Sequence, residues 1–424
     1  MRESKLKEAP FAGKVLLVPG MDSGGARLLA AVFRSAGAKA RSISSDAKSL
    51  ELASKHSNGE ECLPARLTMG DFLREIQSEE FSPSSYAFFM PLANGPCRFG
   101  QYAPYMRMLL DKMGYGDVEI ISPSCEDGYG ELAEHSPSLL RRCWWAVLAS
   151  DILRKMLHRV RPYECNPGDA DRCFERSIEL LERIFEERSY STGGLFKALL
   201  DAMVDIRRDY VHGVRASFER PRPLIAVVGE IYCRLNEFAN NSVIRQIEDL
   251  GGECWLSDVA EWFWYSNFED GRNLRYAGKS FSLVALKNWI KAFVQHRDEK
   301  ALYAIFSAEF VGREEAPNTE HLFDLAAPYL SRNSALGETI LSVGKVAYAY
   351  RKGADGAVDI SPFSCMNGII SESIYPRLSK DCGDFPIKSF YFDGLNTTSL
   401  ERGLPIFMEM ARGYMSKKCS AKVS

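Results

Sequence analysis

Three cysteines in this chain stand where thiol chemistry at a metal centre could be built. Cys62 lies in GEECLPARLTMGDFLREI, Cys97 in ANGPCRFGQY and Cys365 in ISPFSCMNGII. Each stands in a Gly/Pro loop directly before a predicted helix, and Cys97 and Cys365 also follow predicted strands. Ligands bind where loops leave the carboxyl ends of parallel strands, and helix N-termini favour thiolate over thiol. Three thiolates converging there could hold a [4Fe–4S] cluster with one iron open to a substrate.

Two other interpretations of these cysteines stay open. A cysteine beside a helix is often a small buried hydrophobic residue. Zinc is the rival metal, although its structural sites usually show a paired C-x-x-C spacing that this chain lacks. The other eight of the 11 cysteines read as structural, with Cys125 and Cys233 held as reserve ligands.

The motifs that the sequence lacks narrow the function. It contains no G-x-x-x-x-G-K-[ST], no G-x-G-x-x-G and no H-E-x-x-H, so neither a nucleotide-binding loop nor a zinc protease is expected. The 53 Lys+Arg against 56 Asp+Glu give a formal net charge of −3, which disfavours a nucleic-acid partner. A charged N-terminus and the absence of any apolar run of about 20 residues predict a cytoplasmic protein with no membrane partner.

The order of predicted elements indicates an α/β fold. A short apolar run, a loop and an amphipathic helix recur four times, which favours parallel sheets covered by helices. We therefore predict two Rossmann-like parallel-sheet domains with helical insertions. The predicted divisions are an N-terminal α/β domain (1–125), a helical segment (126–221) and a C-terminal α/β domain (222–424) with a helical insertion at about 283–349.

Polar residues near the cysteines are further candidates. Arg98 and Gln101 could contact a cluster or a substrate carbonyl, or could simply form surface contacts. Glu61 could donate a proton, although a carboxylate at a helix start is the commoner explanation. Three more candidates for substrate binding lie in the loop after a predicted strand: Glu230, Asn236 and Asn240.

Four long segments resemble the 2-hydroxyacyl-CoA dehydratase superfamily, and within it the activase-related proteins whose C-terminal part is built like dehydratase subunits. These segments are ECLPARLTMGDF, NGPCRFGQY, RPYECNPGDADR and GEIYCRLNEFANNSVIRQIEDLGGECWLSDVAEWFWY. The opening GKVLLVPGMDSGGARLLAAVFRSAGAKA and the closing ISPFSCMNGIISESI and FYFDGL fit the same group. The resemblance spans almost the whole chain and implies two Rossmann-like domains.

The resemblance also implies a function. Its members hold an oxygen-sensitive iron–sulfur cluster on cysteines, here Cys62, Cys97 and Cys365. An ATP-dependent activator of the actin, Hsp70 and sugar-kinase type supplies one electron, which drives removal of water from a 2-hydroxyacyl-CoA. ATP would then bind the partner and no nucleotide would bind this chain.

Alternatives within the resemblance remain open. Some relatives carry a second cysteine three residues after the first, where this chain has Ala65. A related class carries a double-cubane [8Fe–9S] cluster and reduces small molecules with ATP-driven electrons. The chain would then be a lyase, a reductase or a non-enzymatic scaffold that docks onto an activase. A homo- or heterodimer is implied as well.

Overall fold

Two four-stranded, wholly parallel sheets form the frame of the protein. The computed structural model describes residues 11–93, 95–125, 129–135, 138–333, 337–395 and 398–423. The strands are β1 (Val15–Pro19), β2 (Arg41–Ile43), β3 (Tyr86–Phe89), β4 (Glu119–Ile121), β5 (Leu224–Gly229), β6 (Glu253–Leu256), β7 (Gly356–Pro362) and β8 (Ile387–Phe392). Their spatial orders are β2-β1-β3-β4 and β6-β5-β7-β8. The predicted α/β class with two parallel-sheet domains is confirmed.

Helices cover both sheets and fill the region between them. They are α1 (Ser23–Ser35), α2 (Ala47–Ser54), α3 (Leu63–Ile76), α4 (Tyr102–Lys112), α5 (Gly130–His135), α6 (Leu139–Val160), α7 (Asp169–Glu186), α8 (Thr192–Arg208), α9 (Ile231–Leu235), α10 (Val243–Asp249), α11 (Ala260–Tyr276), α12 (Leu283–Ile305), α13 (Thr319–Ala326), α14 (Glu338–Lys352), α15 (Met366–Asp381) and α16 (Thr398–Val423). None of these described helices is long and apolar enough to cross a membrane.

The helical parts differ in extent from the sequence prediction. The predicted division at residue 126 lies outside the described residues. The helices between β6 and β7 begin at Ala260 rather than near residue 283. The aromatic run at the start of α11 concealed this helix, because aromatic residues are weak helix formers and indicate packing more than periodicity.

The strands consist of apolar runs because both faces of each sheet are covered. Every residue of β5 (LIAVVG) and of β7 (GAVDISP) is buried, as expected for parallel strands between helical layers. The sequence analysis missed β2, a three-residue edge strand (RSI) with an exposed arginine. Its pairing with β1 forms it, since such a short polar segment has little strand preference of its own.

Both sheets have the same order, with the first strand of each domain beside its second and third strands. In such sheets the loops after the first and third strands diverge and leave a crevice at their carboxyl ends. The crevice of the second sheet lies between β5 and β7, and their ends approach closely at Gly229 (φ 111°). A Cβ at Gly229 would lie 2.2 Å from the carbonyl oxygen of Ile360, so only glycine fits there.

Helix α3 joins the two domains. Leu63 and Leu67 pack into the second domain's core with Ile225 and Phe390, although α3 belongs to the first domain by sequence. Because Leu63 is packed in the second domain, the start of α3 and the adjacent Cys62 lie beside the second sheet.

Burial of a carboxyl group on α3 predicts a pH-dependent stability. Asp71 is fully buried, and one of its oxygens accepts from the Ser45 hydroxyl at 2.8 Å. Desolvation raises its pKa from 3.8 to about 7. The folded state therefore holds a proton that the unfolded state loses, so the free energy of unfolding falls as the pH rises from about 4 to about 7.

We expect Asp71→Asn to increase stability at pH 8, on the order of 2 kcal/mol, and to change it little at pH 4. Urea unfolding at both pH values measures this, with Asp205→Asn on the exposed face of α8 as the control. An equal effect of Asp71→Asn at both pH values would contradict the explanation.

Candidate functional site

Cys62 begins the site at the N-terminus of α3. It is the N-cap residue, with extended backbone, and a proline follows in the first turn. Proline there pre-sets the helical φ angle where no amide donor is needed. The Cys62 sulfur lies 2.7 Å from the hydroxyl of Tyr102, which starts α4. The first thiol is therefore held between two helices of the N-terminal domain.

Cys97 precedes a single 3-10 turn (Arg98–Gln101) that leads into α4. Its sulfur accepts a long hydrogen bond, 3.5 Å, from the Phe99 amide. The Arg98 guanidinium donates to the carbonyl of Glu60. Because Glu60 precedes Cys62 by two residues, this contact ties the two cysteine loops together.

Cys365 lies three residues beyond β7 and is the N-cap residue of α15. The residue before it, Ser364, has a left-handed backbone (φ 61°), which turns the chain sharply from strand to helix. The Cys365 carbonyl accepts from the Ile369 amide at 3.0 Å and starts the helix. The prediction that these cysteines precede helices, and that Cys97 and Cys365 follow strands, is confirmed.

The three thiols share Glu230 as a neighbour, and Cys97 and Cys365 also share Glu338. The charges of Glu230 and Glu338 both raise the pKa of Cys97 and of Cys365, and the charge of Glu230 raises that of Cys62. Cys62 and Cys97 also interact with each other. The three cysteines that the sequence singled out therefore all lie within electrostatic range of Glu230, which directly follows β5.

One of the two reserve thiols lies beside them. Cys233, in the first turn of α9, is fully buried, and the charges of Cys62 and Cys365 help to raise its pKa well above normal. Cys125 instead follows β4 and interacts with Tyr129. The site therefore has a fourth thiol within electrostatic range.

The expectation of thiolates at these helix starts is wrong for the free protein. Desolvation by the surrounding protein is the largest cause at each site, although the Cys97 residue itself keeps an exposed surface. It raises the pKa of Cys62, that of Cys97 to about 11 and that of Cys365 to about 12. The carboxylates add to this, and together they outweigh the helix dipoles, which act weakly and over one turn. The surroundings of these three helix starts therefore favour the protonated thiol over the thiolate when no metal is bound.

The side chains of Glu230 and Glu338 are held in place by hydrogen bonds from backbone amides. Glu230 caps α9 and accepts from the amides of Tyr232 (3.0 Å) and Cys233 (2.8 Å). Glu338, at the start of α14, accepts from the Ile231 amide at 3.1 Å. Burial and the neighbouring Glu230 raise the pKa of Glu338 to about 8.

The sequence analysis missed two of these residues. Glu338 lies inside the predicted helical insertion. The only sequence signal for it is a glycine followed by a glutamate, Gly337–Glu338, at the start of a helix. Tyr102 stands at the end of the NGPCRFGQY motif, five residues after Cys97. Its contact with Cys62 depends on how the loops fold together, which sequence spacing does not reveal.

The candidate proton donor and hydrogen-bond donors have different surroundings. Glu61 accepts from the amides of Asn58 and Gly59, both at 3.1 Å, and so supports its own loop. Arg98 points its guanidinium to the Cys62 loop, and Gln101 is exposed. Catalytic roles for Glu61, Arg98 and Gln101 stay predictions.

The two candidate asparagines support the backbone around the site. The Asn236 amide donates to the carbonyl of Gly20 at 2.8 Å, which links the two domains. The Asn240 amide donates to the carbonyls of Cys233 (2.8 Å) and Arg234 (3.3 Å). Substrate contacts by either residue stay predictions.

The donor set was tested against the cluster that the resemblance implies. In the part of the chain that the structure describes, no group of three or more His, Cys, Asp or Glu side chains is arranged to hold a metal ion. A mononuclear zinc site needs its ligands about 2.3 Å from one point, whereas a [4Fe–4S] cluster binds each cysteine to a different iron. Cysteine sulfurs are the ligands that such a cluster takes, so the donor set fits the cluster in its chemistry.

Comparison with known proteins leaves the family open. No protein-family model matches the chain, and no curated protein matches it.

Proposed function

We propose that this chain is an iron–sulfur redox protein that takes electrons from an ATP-dependent activator. The observation that carries the proposal is that Cys62, Cys97 and Cys365, each at a helix start, all lie within electrostatic range of Glu230 at the carboxyl end of β5. Such an anaerobic electron-transfer protein would act as a 2-hydroxyacyl-CoA dehydratase-like lyase in the cytoplasm, with an acyl-CoA as substrate.

Three roles are proposed for the residues of the site: holding the cluster, donating a hydrogen bond to a ligand sulfur, and donating a proton. Cys62, Cys97 and Cys365 would hold a [4Fe–4S] cluster, which when bound supplies one-electron chemistry. The Tyr102 hydroxyl donates to the Cys62 sulfur once that sulfur has lost its proton. Burial and the neighbouring Glu230 raise the pKa of Glu338 to about 8, so we infer that Glu338 is the group that gives a proton to a leaving hydroxyl group.

The partners follow from the same proposal. The chain contains no phosphate-binding loop, so ATP is proposed to act on a separate activator of the actin, Hsp70 and sugar-kinase type. A homo- or heterodimer would complete the assembly.

A second candidate, a double-cubane-type reductase, is favoured by Cys233. A larger [8Fe–9S] cluster needs more ligands than three, and Cys233 is a fourth thiol beside the site. Ala65, where some relatives have a second cysteine, speaks against it.

Anaerobic reductive titration tests the redox proposal. Protein purified without oxygen is titrated with dithionite while visible absorbance and electron paramagnetic resonance are recorded. We expect the visible absorption to bleach and a paramagnetic signal to appear upon uptake of about one electron per chain. Protein that takes up no electrons after cluster reconstitution would contradict the proposal.

The Tyr102 hydroxyl gives a sharper prediction. We expect Tyr102→Phe to keep its iron and to have a more negative reduction potential, because hydrogen bonds to cluster sulfurs raise the potential. Tyr105→Phe on the same helix is the matched control, since the Tyr105 hydroxyl donates to the carbonyl of His56 instead. Equal potentials in both variants would show that Tyr102 does not donate to a ligand sulfur.

A further inference from the structure

The tip of the α11–α12 hairpin carries the largest group of exposed apolar side chains in the described residues. The tip surface comprises the end of α11, the turn and the first three turns of α12, residues 276–293. Its exposed members are Tyr276, Phe281, Leu283, Val284, Leu286, Trp289, Ile290 and Phe293. Phe281 in the turn is 105% exposed and Trp289 is 65% exposed. Contiguous apolar surface of this kind indicates an interaction site.

The aromatic side chains of the tip surface form a preordered ridge. Trp289 and Phe293, one helical turn apart, stack with their ring centroids 5.8 Å apart. The other side of the hairpin is tied internally, where Asn267 of α11 donates to Gln295 of α12 at 2.9 Å. The ridge therefore faces away from the interior on a helix that is already anchored.

The charge around the tip surface is of one sign. Residues 271–297 include six Lys and Arg and no Asp or Glu, in a chain whose formal net charge is −3. Arg272 and Arg297 pair with Glu269 and Asp298, which lie just outside this segment. Lys279 and Lys287 flank the apolar residues. The matching surface must therefore be both apolar and anionic.

Exposed apolar side chains with flanking positive charges distinguish among three possible binding partners of the tip surface: a second copy of the chain, a groove in another protein, and a lipid bilayer. Two copies paired through this face would bring like charges together, which is unfavourable. A protein groove takes one narrow stripe of a helix, typically at i, i+3, i+4 and i+7. Leu286, Trp289, Ile290 and Phe293 of α12 have this spacing, but the apolar surface continues beyond that stripe, through Leu283 and the fully exposed Phe281 of the turn to Tyr276 of α11. Such a protruding tip, aromatic and aliphatic with flanking lysines, suits the interface of a lipid bilayer.

We propose that the tip surface binds the surface of an anionic lipid bilayer. Phe281, Trp289 and Phe293 enter the boundary between headgroups and acyl chains, and Lys279 and Lys287 contact anionic headgroups. The prediction of no membrane partner considered only segments that span a membrane, and no described helix does so. Binding at the surface needs no such segment.

Vesicle co-sedimentation of the full chain tests this proposal. We expect binding to vesicles of phosphatidylcholine and phosphatidylglycerol, with little binding to phosphatidylcholine alone. Replacing both Trp289 and Phe293 with alanine should weaken binding about a hundredfold, because two buried aromatic side chains are lost. Lys279→Gln with Lys287→Gln should weaken it roughly thirtyfold and reduce its salt dependence.

The matched control removes exposed apolar side chains elsewhere. Ile406→Ala with Met410→Ala, on the exposed face of α16, should leave vesicle binding unchanged. Absence of vesicle binding, or equal binding by the Trp289/Phe293 variant, would overturn the proposal. So would concentration-dependent self-association that this variant abolishes while vesicles have no effect, since the face would then pair two copies.

Discussion

Alanine in place of Cys97 or Cys365 is expected to remove the bound iron from anaerobically purified protein. Each of these cysteines starts a helix and has Glu230 and Glu338 as electrostatic neighbours, and each is proposed to supply one of the three protein ligands. Three ligands is also the smallest cysteine set proposed for the cluster, and losing one leaves two irons without protein ligands. Iron analysis of the purified variants measures the effect.

Cys143→Ala is the control for these variants. Cys143 is buried among apolar side chains of α6, so its loss should cost about 1–2 kcal/mol of stability and no iron. Full iron retention in the Cys97→Ala protein would refute the ligand assignment. Retention in the Cys365→Ala protein alone would indicate that Cys233 takes its place.

Lys345→Met is expected to destabilise the fold by about 3–5 kcal/mol. Lys345 on α14 is 1% exposed and contacts the carboxylates of Glu261 and Glu315. Glu315 keeps a second cation, Lys155, but the largely buried Glu261 would lose its ion pair with Lys345. Urea and thermal unfolding measure the loss.

Two further variants show whether the unpaired charge is the cause. Lys352→Met, two helical turns further along α14, removes an exposed pair with Glu314 and should change stability by less than about 1 kcal/mol. Adding Glu261→Gln to Lys345→Met should recover part of the stability. Equal losses with and without Glu261→Gln would show that packing, rather than charge, dominates.

The sheets were predictable because buried parallel strands are apolar runs between Gly/Pro loops. Strand β5 (LIAVVG) is such a run, buried along its whole length. Strand β2 was missed because its three residues form a strand only by pairing with β1. The helical insertion was predicted to begin at about residue 283 and not at α11 (Ala260), because the bulky aromatic residues at the start of α11 give no clear helical periodicity.

The site was predictable in part for the same reason. Cys97 and Cys365 follow strands, so topology alone brings them to the edges where ligands bind. Cys62 follows no strand, and it reaches the crevice because Leu63 and Leu67 bury themselves in the other domain. Glu338 comes from 108 residues beyond Glu230 in sequence, and only the tertiary fold places the two carboxyl groups together.

Iron and acid-labile sulfide content of anaerobically purified protein, with a visible spectrum, tests the central claim most directly. We expect about four irons and four sulfides per chain and broad visible absorption. About eight irons would move the assignment to a double-cubane reductase. Colourless protein without iron, even after reconstitution, would contradict the iron–sulfur function and leave a scaffold with the same fold.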